Sequence, residues 1–529
     1  MIKLSDALTD PTIYPWVPET VQRIDTHLSH VYLAGDRVLK IKQAVDYGFV
    51  DFRSLEVRRQ SCEDECRLNR RLTSGVYLGV VPITVENDSY RVDGSGDIVE
   101  WGTVMRRLPA EGMLDERIRR RDVPSDLGLR LGQRLATFHA SSANTCRQSP
   151  GHDSDTSTAV VLDNLEELAP FTGRILDGVQ LAMVDGSLRG FISEQRTFLD
   201  QRVSDGWVRE GHGDLRAEHI CIESNGEIQI FDCVEFSQEI RCADVVSDLA
   251  FLLMDMQRLS RPDLAADVSR AYRDGEISLP RKLVQLYSAH RALVRAKVAC
   301  LSMVGASEES ATRYWASASE YLNLATAAAV NPQPTLIAMT GLSGTGKSTV
   351  ARSVGQALGV QVLASDVTRK KLAGVEGTAA TEWQSGIYSP DWTQRTYARL
   401  LEDAGAELRA GKAVVVDATF LDPHWRAECA RRGQDFGSSI LFVEVTCDPQ
   451  VVARRIQTRA ASGGSVSDAS LDTFRDQSRM LASEPVHFPD DTHHVSVDTS
   501  VDRPVRIGVV LEKMRTIGAL IPAIRFGSD

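Results

Sequence analysis

Gly341-Leu342-Ser343-Gly344-Thr345-Gly346-Lys347-Ser348 has the residue types and spacing of a loop that holds phosphate. Its glycines let successive backbone N–H groups converge on anionic oxygens without Cβ clashes, and a helix opening through Ser348 and Thr349 adds its positive dipole end. Lys347 can reach the β- and γ-phosphates of a nucleotide, and Ser348 can ligate Mg2+. Further on, an apolar run of three valines ends in Asp417, a second hard oxygen ligand for that metal. Ser365-Asp366 follows another apolar run, which places a carboxylate beside the γ-phosphate as a base for an attacking hydroxyl. Arg369, one helical turn later, is positioned to hold an anionic acceptor. Arg454, Arg455 and Arg459 precede a stretch rich in Gly, Ser and Ala, the composition of a lid that closes over phosphate in transfer.

A second group of reactive residues lies upstream. His212-Gly213-Asp214-Leu215-Arg216-Ala217-Glu218-His219 reads as a loop, and the strand-like Ile228-Gln229-Ile230-Phe231 ends in Asp232. An acid on a rigid loop can take a hydroxyl proton, while an acid at a strand end can anchor a metal that bridges phosphates. The segment from Asp244 to Asp248 completes this train.

Residues from Gly341 to about Lys513 resemble the small phosphate-loop kinases related to gluconate kinase, zeta-type toxins and polynucleotide kinase. Their Asp-x-x-Arg matches Asp366 and Arg369, and their lid arginines match Arg454 or Arg459. The upstream train resembles the aminoglycoside phosphotransferase family, which has a kinase-like fold. That resemblance implies Asp214 as catalytic base and Asp232 as a Mg2+ ligand. It also marks a departure, because His219 stands where the family has a metal-binding Asn, and imidazole suits softer metals than Mg2+. The family's nucleotide lysine belongs on a strand before this loop. In Val38-Leu39-Lys40-Ile41-Lys42 the period of two puts both lysines on one face, with Lys40 favoured and Lys42 the alternative. Glu65 is its expected helix partner. No G-x-G-x-x-G precedes Lys40.

These residues need two different scaffolds. The first hundred residues read as short strands around a helix over 55–72, and the chain turns helical after Leu127. The tract 141–158, rich in Ser, Asp and Thr, reads as a loop, and residues 105–109 as a hinge between lobes. His139 lies on an apolar helix and reads as a core residue. Two prolines in Val330-Asn331-Pro332-Gln333-Pro334 mark a seam. Beyond it, apolar runs at 336–339, 360–363, 413–416 and 440–445 alternate with amphipathic helices, the pattern of a doubly wound parallel sheet. The expected organisation is therefore a bilobal kinase-like α+β domain over 1–329, a linker over 330–335 and an α/β P-loop domain over 336–529. Trp383, Tyr388 and Trp392 are candidates to line the acceptor pocket.

Composition narrows the function. The 529 residues carry 72 acidic and 60 basic side chains, a net charge of −12, which argues against nucleic acid held by bulk electrostatics. No apolar run reaches the length of a membrane span, and the acidic N-terminus is not that of a signal peptide. Nine scattered cysteines without a CxxC pair point to free thiols in a cytoplasm. The reading is an ATP- and Mg2+-dependent phosphotransferase with two nucleotide sites and a small-molecule hydroxyl acceptor. Two alternatives stand beside it. In one, the N-terminal module binds nucleotide and regulates without transferring phosphate; in the other, the C-terminal part is a kinase for nucleic-acid 5′ ends.

Overall fold

The computed structural model describes residues 3–46, Gly48, residues 50–142, Cys146, and residues 154–374, 389–462, 471–483, 486–500 and 507–523. Two compact units emerge, one of Met1–Val161 with Gln195–Tyr287, the other of Leu162–Glu194 with Ser288–Asp529. Among the described residues no helix is long and apolar enough to cross a membrane.

The first unit opens with a six-stranded antiparallel sheet in the order β1-β2-β3-β6-β4-β5. Its strands are β1 (Val21–Asp25), β2 (Ser29–Ala34), β3 (Arg37–Lys42), β4 (Tyr77–Glu86), β5 (Ser89–Val92) and β6 (Asp97–Arg106). Leu39 and Ile41 of β3 join Tyr32, Ile83 and Val104 in one apolar core, which leaves Lys40 and Lys42 on the other face. The helix Leu55–Asn69 packs against β6 and β4. After β6 the chain passes through residues 107–113 into a helical lobe, so Met105 and Arg106 of the expected hinge are the last residues of β6. There the helices Leu127–Ser141, Val245–Arg258 and Pro262–Asp274 enclose a core of Leu131, Leu135, Leu249, Leu252, Val268 and Tyr272. A short ribbon, β7 (Val208–Glu210) with β10 (Cys242–Asp244), and the hairpin β8 (Ile220–Ile222) with β9 (Ile228–Ile230) hold the loop between them. Asp244 caps the helix that follows through Val246 N and is gripped by both arms of buried Arg202.

The second unit is built on a five-stranded sheet, β13-β14-β12-β15-β16, with every pairing parallel. These strands are β12 (Thr335–Thr340), β13 (Gln361–Ala364), β14 (Val414–Asp417), β15 (Ser439–Thr446) and β16 (His493–Asp498). Leu336 and Ala338 face a core with Tyr397, Leu400 and Trp425, while Ile337 and Met339 face Val350, Val354 and Leu511. Burial on both faces explains why the strands read as continuous apolar runs.

Four expectations differ from what is found. The seam at 330–335 is not a free connector: β11 (Val330–Pro332) pairs antiparallel with β17 (Leu520–Pro522). The helices Gly178–Glu194 and Glu308–Ala329 belong to the second unit, tied to each other by Gln180 on Asn323 and to the phosphate-loop helix by Asn323 on Gln356. Within 141–158, expected as loop, the helix Ser154–Leu168 begins. The thiols are not all free either: Cys146 and Cys242, 96 residues apart, form a disulfide with Cα atoms 5.8 Å apart, while the other seven cysteines are unpaired. Sequence spacing gave no sign of this pair, because 96 residues separate its two members.

Candidate functional site

In the first unit, Lys40 Nζ lies 2.7 Å from Glu65 Oε1 and 2.7 Å from Asp232 Oδ1, so β3, the helix Leu55–Asn69 and the turn after β9 meet in one ion cluster. Lys42, the alternative, belongs to the same cluster: its ammonium sits 2.9 Å from the other oxygen of Glu65 and also pairs with Glu235. Burial works against the charge of Lys40, yet Asp232 and Glu65 hold its pKa well above the ordinary lysine value. Burial likewise opposes ionisation of Asp232, and the ammonium of Lys40 outweighs it, holding the carboxyl well below the usual carboxylate range. Asp232 has φ +62°, in the left-handed region that residues other than glycine seldom adopt.

The loop before it is fixed by Asp248. Its carboxylate accepts the backbone N–H of His212 and, at 2.8 Å, that of Gly213. Gly213 has φ +85°, which an L side chain rarely adopts, so the turn requires glycine. His139 is the buried core histidine expected, with Nδ1 2.6 Å from the Tyr272 hydroxyl and Nε2 3.4 Å from Asp248. Burial pushes His212 down to about 4, so its ring is neutral, in hydrogen-bond contact with the Phe231 carbonyl.

Asp214 projects from this loop and both of its oxygens are taken by Arg216, Nε to Oδ1 at 2.9 Å and Nη2 to Oδ2 at 2.8 Å. His219 Nδ1 lies 2.8 Å from the Asp214 carbonyl oxygen, so Nδ1 carries the proton. Its Nε2 then accepts from Arg216 Nη2 at 3.2 Å and stands 3.5 Å from Asp232 Oδ2. The imidazole lone pair is thus committed to a guanidinium. Arg216 and Glu235 are the members of this site to which the sequence reading assigned no role, while Asp248 was placed in the train without a function. An arginine two residues after the loop Asp was the one legible signal.

In the second unit the phosphate loop follows β12, at the carboxyl end of the parallel sheet where such folds bind ligands. Gly341 has φ +130°, and a Cβ there would come within 2.4 Å of the Val445 carbonyl oxygen. The helix Lys347–Leu358 starts immediately after Gly346, leaving Ser348 and Thr349 exposed in its first turn. Thr345 Oγ1 donates to the Leu342 carbonyl at 2.9 Å, and Lys347 Nζ donates to the same oxygen at 2.6 Å. Burial draws Lys347 down to about 8, against the opposing charges of Asp417 and Asp366. Asp417 is the buried last residue of β14, and Asp366 stands in the first turn of the helix Ser365–Ala373. Arg369, on the same helix, is buried and donates to Thr393 Oγ1 at 3.3 Å. Arg455 donates to the Thr499 carbonyl at 2.7 Å, and Thr499 in turn donates to the Thr345 carbonyl at 2.5 Å, linking the helix Pro449–Ser462 to the loop. Arg459 lies on that helix, but its side chain is outside the described residues, as are Trp383 and Tyr388. Trp392 is described, with Arg395 over its ring at 5.4 Å. One contact had no role in the sequence reading: Gln477, on the helix Leu471–Ser483, accepts the Ser343 backbone N–H at 2.8 Å.

Comparison with known proteins extends these observations. An uncharacterized protein of Mycobacterium tuberculosis is 32% identical over 504 residues, covering 92% of this chain and 93% of the relative. One of Mycobacterium bovis matches to the same extent. The chain belongs to their family. Within this family member, residues 336–483 match the model of the AAA domain. Among solved structures, a choline/ethanolamine kinase family protein from Mesorhizobium loti aligns at 16% identity over 61% of this chain and 93% of that one, with a TM-score of 0.38. Aminoglycoside 2′-phosphotransferase-IIIa in its GDP complex aligns at 16% over 61% and 99%, with a TM-score of 0.38. A gluconokinase from Sinorhizobium meliloti 1021 aligns at 19% over 35% and 93%, with a TM-score of 0.25. The family member joins an antiparallel sheet and a helical lobe to a P-loop part on a parallel five-stranded sheet.

Proposed function

We propose that the chain is an ATP- and Mg2+-dependent phosphotransferase that delivers the γ-phosphate to a hydroxyl of a small molecule, with one nucleotide site in each unit. The observation that carries this reading is Lys347: a buried ammonium inside a phosphate loop, drawn down to about 8 and acted on by the carboxylates of Asp417 and Asp366. An anion entering the loop restores the full charge of that lysine and is held by it.

In the second unit the acceptor oxygen attacks the γ-phosphorus, Asp366 takes the hydroxyl proton and ADP departs. Arg369 orients the acceptor, and Arg459 and Arg454 serve the phosphate under transfer. Ser348 and Asp417 offer the hard oxygens that suit Mg2+, which when bound offsets negative charge on the phosphate oxygens. In the first unit Lys40, kept in place by Glu65, holds the nucleotide phosphates. Asp232 would hold Mg2+ there, and Asp214 takes the acceptor proton. Seven unpaired thiols support a cytoplasmic setting, and the Cys146–Cys242 disulfide weighs against it.

A second reading concerns the first unit alone. Arg216 occupies both oxygens of Asp214 and the Nε2 of His219, which favours a nucleotide-binding module that regulates rather than transfers. One experiment tests both. The full-length protein is given γ-labelled ATP in a metabolite extract, beside Lys347→Ala and Asp214→Ala variants. A labelled product lost in each variant supports two transferases. Product lost only with Lys347→Ala supports the regulatory module, labelled polynucleotide would indicate an end kinase, and no labelled product would overturn the proposal.

A further inference from the structure

The phosphate loop has a donor that is not on the loop. Ser343 is the third residue of Gly341–Ser348, a stretch whose backbone N–H groups are meant for phosphate oxygens. Its N–H is instead given to Gln477 Oε1 at 2.8 Å. Because an N–H needs an oxygen as partner, this bond fixes which end of the amide is which. The other end, Nε2, is buried and has no hydrogen-bond partner among the described residues, with Gln477 only 2% exposed. Buried amide donors in native proteins are almost always satisfied, so one left over beside an anion-binding loop marks a position that a ligand fills.

Packing explains how Gln477 is held there. Phe474, one turn earlier on the helix Leu471–Ser483 and therefore on the same face, belongs to an apolar cluster with Val452 and Ile456 against which Leu342 of the loop packs. The face that carries Phe474 and Gln477 is thus docked on Leu342 and Ser343. A hydrogen bond received at Oε1 also polarises the amide and strengthens Nε2 as a donor.

We propose that Gln477 is a nucleotide-positioning residue of the second unit, which accepts the Ser343 N–H and donates its own Nε2–H to a phosphate oxygen of the bound nucleotide. The proposal rests on the phosphate-loop reading above. It assigns to the helix after the candidate lid a direct part in triphosphate recognition.

Substitution can separate the two ends of the amide. Gln477→Glu keeps an oxygen for Ser343 but removes the donor and brings a like charge to the phosphates. Gln477→Met preserves length and neutrality while losing both the donor and the oxygen that accepts the Ser343 N–H. Mg-ATP binding to the full-length protein would be measured by calorimetry, taking the component lost in Lys347→Ala as the second-unit site, with Tm recorded for each variant. A hydrogen bond to a charged group corresponds to a loss of roughly tenfold to a hundredfold in affinity. Gln477→Glu is expected to weaken Mg-ATP at least that much with a Tm near that of the parent, and Gln477→Met to weaken it by about tenfold. Parental affinity in both variants, or in Gln477→Glu alone, would overturn the proposal and leave Gln477 a structural prop of Ser343. A lower Tm without change in affinity would overturn it equally. Absence of any Lys347-dependent Mg-ATP site in the parent protein would instead overturn the underlying phosphate-loop reading.

Discussion

Arg216 holds Asp214 by a two-pronged ion pair, with Nε 2.9 Å from Oδ1 and Nη2 2.8 Å from Oδ2. The candidate base is therefore paired before any substrate arrives, and the guanidinium that pairs it is buried against Phe251. Replacing Arg216 by Ala strands Asp214 and frees the Nε2 of His219. Breaking a buried pair from one side costs about 3–5 kcal/mol, and the partial exposure of Asp214 sets the loss near the lower figure. Denaturant unfolding should register it. Asp214→Ala should abolish any transfer by the first unit while its nucleotide affinity stays close to that of the parent; a matching loss of affinity would mean that Asp214 holds nucleotide rather than a proton.

Glu65 is fully buried between two lysines, with Lys40 on one oxygen and Lys42 on the other. Glu65→Gln leaves two buried ammonium groups sharing Asp232 and Glu235. The expected destabilisation is about 3–5 kcal/mol, which for a unit of this size lowers Tm by roughly 6–20 °C. A Tm within two degrees of the parent, on the order of measurement error, would show that water reaches the cluster freely.

Lys347 should make binding and stability depend on alkaline pH. Its pKa is about 8 in the fold against 10.5 for an ordinary lysine. Below pH 8 both folded and unfolded chains carry the proton. Between about pH 8 and 10.5 the unfolded chain binds more protons, so this group makes the fold more stable as pH rises through that window. Phosphate binding runs the other way, because it needs the ammonium. Calorimetry near pH 8 in buffers of different ionisation enthalpy should therefore detect proton uptake with Mg-ATP, and the uptake should vanish in Lys347→Ala. Buffer-independent heats would contradict the assignment.

Asp366→Asn should separate chemistry from binding in the second unit. The proton acceptor is lost while the loop, Lys347 and Asp417 remain. Transfer should fall by about 10²–10⁴ with Mg-ATP affinity little changed. Equal losses in both would reassign Asp366 to metal or structure.

The sequence by itself determined the parts whose physics is local. Gly341 to Ser348 are consecutive, so the loop, its lysine and its helix could be read directly. Residues whose backbone geometry admits few side chains, such as Gly213 and Gly341, were equally visible. The period of two in Val38-Leu39-Lys40-Ile41-Lys42 placed both lysines on one face, and Glu65 proved to be their common partner. The parallel sheet was legible because strands buried on both faces leave continuous apolar runs.

Tertiary structure decided what depends on distant residues meeting. Gln477 reaches Ser343 across 134 positions, and Cys146 reaches Cys242 across 96. No spacing rule encodes such pairs, since each depends on how distant segments of the chain meet. The unit boundaries have the same origin: the helices Gly178–Glu194 and Glu308–Ala329 precede the seam, yet bury their apolar faces in the second unit. The role of His219 was decided last of all. Its sequence position suggested a poor metal ligand, but only the approach of Arg216 showed that its lone pair is already in use.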